Sequence, residues 1–148
     1  MGSTTSAGTG LAISAALPAT EDAAGYAALT FVEIGGPEQL GAFGASNEVI
    51  TFQPLKGPAE KHKGGTNYGA IQPSIAHDDE DAGQTLLRTA AEDQTDLYAF
   101  EITFPSGAKR YFCGRVFGYP ENVGAANSII MANPSIEIST KVVKVDAP

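Results

Sequence analysis

Five consecutive residues, His77-Asp78-Asp79-Glu80-Asp81, form the densest set of metal-ligating side chains in the chain. A calcium loop of the EF-hand type needs alternating oxygen ligands, a glycine at its sixth position and a glutamate at its twelfth. Counted from Asp79, the sixth position is Gln84, so the pattern fails. Acids clustered at the start of a helix, where the dipole favours negative charge, account for the run instead. Nucleophilic chemistry finds little support. The two histidines, His62 and His77, stand in no recognisable triad, and there is no G-x-S-x-G elbow. The single cysteine, Cys113, excludes an internal disulfide and a cysteine-cluster zinc site. It sits in a strand-like pattern, so it is expected to pack as a small buried hydrophobe. Gly57–Gly65 (GPAEKHKGG) looks superficially like a phosphate loop, but no Gly-Lys pair followed by Ser or Thr is present.

Composition bears on two broader chemistries. With 17 acids some carboxylate pair is always available to a glycosidase, but there is no tryptophan and little aromatic material in the loops to stack a sugar. Aromatic stripes at Tyr98–Phe104 and Tyr111–Tyr119 could stack nucleobases. A net charge of −8 opposes a phosphate backbone, and their alternating spacing suits a core. The expectation is a protein that is not an enzyme, with no cofactor and no metal.

The element that would position the acid run is a helix of about 12 residues within His77–Asp96. Asp81 is its expected N-cap, with Gln84 at capping-box spacing. Ala82, Leu86 and Ala90 recur every four residues beside Leu87 and Ala91, which predicts one apolar stripe. Leu86 and Leu87 are its expected core anchors; Gln84, Arg88, Thr89 and Glu92 fall on the other side. Everything else reads as strand or turn. Leu11–Ala15, Leu29–Ile34, Leu40–Phe43, Val49–Phe52, Tyr68–Ala76, Leu97–Phe104, Lys109–Tyr119 and the last strands within Ser128–Val145 are the predicted strands. Pro73 and Pro134 mark an edge, a bulge or a break. Pro18–Gly25 and Pro120–Ala126 read as turn and loop, and Pro105–Ala108 as a hairpin turn.

Gln53–Asn67 (QPLKGPAEKHKGGTN) stands apart. It shows no period and carries Lys56, Lys61 and Lys63 against Glu60, leaving −10 for the rest of the chain if the whole carries −8. A connection of that length in a compact domain is usually functional or disordered. The predicted class is therefore mainly β: one antiparallel sandwich or barrel domain spanning 1–148, with one flanking helix, a flexible arm over 1–10 and a long loop over 53–67. No run is apolar enough to span a membrane, and the first basic residue, Lys56, leaves no positive leader at the N-terminus. The expected setting is cytoplasmic, with no export and no anchor.

From Gly10 to Val145 the order of parts resembles the tail tube (major tail) proteins of long non-contractile-tailed bacteriophages. The resemblance rests on a small-residue first strand, Phe31–Gly35 (FVEIG), Gly41–Phe43 turning into a strand and the Thr51–Gly69 connection with its Asn-Tyr-Gly exit. It continues through Asp81-Ala82-Gly83-Gln84 opening a helix, followed by Leu86 and Leu87, then a hairpin on Pro105–Gly107, and Asn122-Val123-Gly124. Fuller members carry an added C-terminal immunoglobulin-like domain; with the sequence stopping at Pro148, the functions of such a domain are not expected here. The resemblance implies a virion protein whose subunits form hexameric rings, stacked as a hollow tube assembled in the host cytoplasm. DNA would pass through it without specific binding, and tape-measure and tail-terminator or tail-tip proteins would be its partners. Leu55, Lys56, Lys61 and Lys63 would then serve contact between subunits. Polar strand positions Gln72, Ser74, Glu101, Thr103, Glu137 and Ser139 are the candidates for the channel wall, Glu137 foremost because Ile136 and Ile138 define the opposite face. Two other readings remain: a monomeric β-sandwich binding module of adhesin or carbohydrate-binding type, and a secretion-system tube protein.

Overall fold

The computed structural model describes residues 3–147. It is a mainly β, antiparallel architecture. The larger sheet has seven strands. Its path runs from β2 (Val32–Ile34) through β1 (Gly10–Ser14), β8 (Tyr98–Thr103), β9 (Lys109–Gly118) and β12 (Ser135–Ile138) to β6 (Ala70–Ile71), and β13 (Val143–Val145) also pairs with β9. A smaller sheet orders β10 (Glu121–Asn122), β11 (Met131–Ala132), β7 (Ser74–Ala76) and β3 (Pro37–Gln39). A third sheet is only a ribbon, β4 (Ser46–Phe52) against β5 (Glu60–Asn67).

Alternation in the central strands builds the core. Tyr98, Phe100 and Ile102 of β8 lie on one face with Phe112 and Val116 of β9 and Ile136 and Ile138 of β12. Ile75 of the smaller sheet and Leu87 and Ala90 of α2 (Ala82–Glu92) close over them. Phe100 and Phe112 are directly opposite in register, with stacked rings 5.3 Å apart. The opposite face carries a second cluster of Tyr26, Ala99, Tyr111 and Cys113. Tyr26 belongs to α1 (Ala23–Ala27) and stacks on Tyr111 at 5.1 Å. This explains why β9 shows aromatics on both faces: both are covered over the same stretch. Burial raises the Tyr111 phenol to about 12 and pushes the Cys113 thiol up as well. A buried thiol with a raised pKa makes little thiolate and is a poor nucleophile.

Proline punctuates the passage between sheets. The chain crosses directly from one sheet to the other four times, at Pro37, Pro73, Pro120 and Pro134. Proline has no N–H to give a ladder, so Pro73, Pro120 and Pro134 lie between pairings and Pro37 opens one, each where the chain changes partner. Pro73 and Pro134 are therefore boundaries between two short strands in different sheets.

Several sequence expectations change. Among the described residues there are two helices, because Asp22 caps a short one that begins within the predicted Pro18–Gly25 turn, accepting from Gly25 N–H at 2.8 Å. Leu40–Phe43 is not a strand: β3 ends at Gln39, and Leu40 and Phe43 lean on the core from an irregular segment. The predicted loop Pro120–Ala126 begins with β10. Of the expected arm, Met1 lies outside the described residues with Gly2; residues 3–8 are exposed, and Gly10 already belongs to β1.

Candidate assembly surface

The largest departure concerns Gln53–Asn67. Its second half is a strand, and only residues 53–59 form the turn. The segment has no apolar period because none of the described residues covers it. Every residue of β4 is exposed, as is every residue of β5 except Gly64, and among the described residues the two strands pair only with each other. The register sets Ile50 opposite His62 and Phe52 opposite Glu60 on one face, and Val49 opposite Lys63 and Thr51 opposite Lys61 on the other. One face is thus apolar and acidic, and the other carries the two lysines. Val49, Ile50, Phe52 and Leu55 are all more than half exposed.

At the turn, the Gln53 side-chain amide donates to Pro54 O at 3.0 Å and Gly57 O at 3.2 Å, closing the tip around Leu55 and Lys56. The four expected contact residues therefore occupy two places, Leu55 and Lys56 at the tip and Lys61 and Lys63 on a flank. Sequence reasoning missed Val49, Ile50 and Phe52 as part of this surface. Their strand character was visible, but the strand that pairs with them was not. Val123, Ile129 and Ile130, in the connection between β10 and β11, form a second exposed apolar group.

The body that carries the ribbon is locked around α2. Asp81 caps the helix, its carboxylate accepting from Gln84 N–H at 2.9 Å and also from Gly35 N–H at 3.0 Å. Gln84 was expected on the polar side, but it is fully buried. Its amide nitrogen donates to Gly35 O at 2.8 Å and Ala76 O at 2.9 Å. Its amide oxygen accepts from Asp78 N–H at 2.9 Å and from the Tyr119 hydroxyl at 3.1 Å. All four bonding positions of the amide are used, so a polar group sits in the core and joins both sheets to the helix. The reciprocal half of a capping box is absent because the side chain is occupied there. The buried stripe accordingly runs through Gly83, Gln84, Leu87 and Ala90; Ala82 is exposed and Leu86 half-buried. Gly83 is where helix and sheet meet most closely, since a Cβ there would lie 2.1 Å from Glu33 O. From the acid run, His77 Nε2 lies 2.7 Å from Asp79 and 3.1 Å from Glu121. Among the described residues no group of three or more His, Cys, Asp or Glu is placed to hold a metal ion. None of the described helices is long and apolar enough to cross a membrane.

The six channel-wall candidates do not share one surface. Glu101, Thr103 and Glu137 lie on the outward face of the seven-stranded sheet, and Ser139 follows the end of β12. Ser74 belongs to the smaller sheet, and Gln72 links β6 to β7. Glu101 is half-buried and ion-paired with Lys109 at 3.3 Å. Glu137 is exposed, directly opposite Arg115. The outward face therefore mixes Glu33, Glu101 and Glu137 with Lys109 and Arg115, where a uniformly acidic face was expected. Helix α1 covers part of it.

No family model matches the chain, nor does any curated protein. Solved structures do. A chain from the cryo-EM structure of the anti-feeding prophage baseplate, 6-fold symmetrised, matches with a TM-score of 0.67 at 5% identity, covering 94% of this chain and 93% of that one. A chain from the PVC sheath/tube terminator of an extracellular contractile injection system, in the extended state, matches with a TM-score of 0.60 at 10% identity, covering 92% and 93%. At such identities the likeness establishes the fold alone: it is shared, nearly end to end, with a baseplate chain and a sheath/tube terminator chain. The second comes from a contractile system, whereas the sequence resemblance pointed to non-contractile tails.

Proposed function

We propose that the chain is a structural, non-catalytic subunit of a phage-tail-like particle that assembles with copies of itself into rings stacked as a tube. The observation that carries this is the ribbon: an isolated two-stranded hairpin is marginal in water, and this one exposes four large apolar side chains. A partner that buries them gives the ribbon a reason to exist. The fold shared with baseplate and sheath/tube terminator chains supports the reading. In such a ring Glu137 lines the channel, where an acidic residue lets a polyanion slide. Six-fold rings, passage of DNA and tape-measure or tail-tip partners are expectations of the same reading.

Negative-stain microscopy of the purified chain tests it. Rings or tubes are expected. A variant in which residues 47–66 are replaced by a short Gly-Ser linker should stay folded and form neither. Small uniform particles from the unmodified chain at every concentration and salt would overturn the reading. The terminator and baseplate neighbours favour a second form, a ring placed at the end of a tube, which would give single rings that do not stack.

A further inference from the structure

A groove of about 730 Å³ opens at the base of the ribbon, between residues 4–9 and the segment around β3. That is within the range of about 300–1,000 Å³ that suits a compact ligand. Its apolar wall is formed by Leu40, Phe43 and Phe104, all half-buried and continuous with the main core. Glu38, exposed on β3, is the groove's acid. At the other end of the ribbon, Leu55 is fully exposed beside Lys56, in a turn already closed by Gln53. A tip held in shape loses less freedom on docking.

Building on the assembly proposed above, we infer that the Pro54–Gly57 tip of one copy seats in this groove on a second copy, with Leu55 against Leu40, Phe43 and Phe104, and Lys56 beside Glu38. The tip cannot fill its own groove. Ser46 starts three residues after Phe43, and seven residues of antiparallel strand carry the tip about 23 Å away. The ribbon's exposure shows that it does not fold back. Donor and acceptor surfaces at opposite ends of one subunit make a head-to-tail contact, and such contacts close into rings or propagate as filaments. Chemical complementarity selects the occupant: one apolar side chain for an apolar wall and one cation for one carboxylate.

Cysteine pairing and charge reversal test this on the full chain. Oxidation of the double variant Leu55→Cys, Leu40→Cys should give a ladder of covalent dimers, trimers and longer species. Each single variant should stop at dimer or monomer, and buried Cys113 should not contribute. Lys56→Glu and Glu38→Lys should each raise the protein concentration needed for assembly by about fivefold, the size of an exposed ion pair. Their combination should restore it. No ladder and no rescue, in a protein whose tubes still form and still need the ribbon, would overturn the groove assignment and leave the assembly reading standing. Failure of the unmodified chain to assemble at all would overturn both.

Discussion

Two hairpins in this molecule share a plan and little else. In both β8–β9 and β4–β5, neighbouring strands run antiparallel across a turn. The first sits in the middle of the seven-stranded sheet, with Phe100 stacked on Phe112 inside the core and Ala99 opposite Cys113 on the other face. The second stands free, with Ile50 opposite His62 and Phe52 opposite Glu60 in water. The backbone ladder is common to both, so it does not explain why one is part of a stable body. Side-chain cover does: burial of apolar area contributes about 25 cal/mol per Å², and the free ribbon collects almost none of it within one chain.

The contrast can be broken from either side. The largest effect is expected in the covered hairpin, where Phe112→Ala should cost about 3–5 kcal/mol, read as a large fall in melting temperature. A melt close to that of the unmodified chain would mean that the stacked pair carries little of the body's stability. Gln84→Ala should follow at about 3 kcal/mol or somewhat more, because it strands buried partners at roughly 1–3 kcal/mol each. Gln84→Glu should be similarly harmful despite its matching shape, since it sets a carboxylate oxygen against the carbonyls of Gly35 and Ala76. If Gln84→Glu melts normally, the amide does not join the two sheets to the helix. Next, Leu87→Ala should cost about 2–5 kcal/mol, while half-buried Leu86→Ala should cost clearly less; equal melts would place the helix differently on the sheet. The smallest effect belongs to the free ribbon. Ile50→Ser should stay within about 0.5 kcal/mol of the unmodified subunit, as surface changes do, yet abolish tubes under the microscope. A destabilised monomer would show that the ribbon is packed on its own body after all.

The same contrast explains what the sequence revealed. Tyr98, Phe100 and Ile102 alternate with Glu101 and Thr103 because one face is buried and the other is not, and that difference is what a reader of sequence detects. β5 has no such difference, since both of its faces are open, so Glu60–Asn67 passed for a loop. Asp81 was legible because a cap acts on its own helix. Gln84 was not, because its partners at Gly35, Ala76 and Tyr119 come from distant parts of the chain. Helix α1 was hidden by its length of five residues. The channel-wall candidates were picked by local alternation alone, which tells a face from its reverse but not one sheet from another; hence Ser74 and Glu101 ended in different sheets. The exposed apolar residues Val49, Ile50 and Phe52 were visible as a strand, but their exposure is a property of the assembled fold.

The bare ribbon also bears on how the proposed assembly would begin in time. A hairpin that gains most of its stabilisation from a neighbour leaves the first encounter between two subunits poorly rewarded, because both ribbons must be held still for a single contact. Each later subunit meets a surface that is already ordered. Growth of this kind would have a threshold: below a critical concentration subunits should remain dispersed, helped by a net charge of −8 that keeps copies apart. Above it, light scattering should rise after a lag, and preformed fragments should abolish that lag. Added salt, by screening the repulsion, should shorten it.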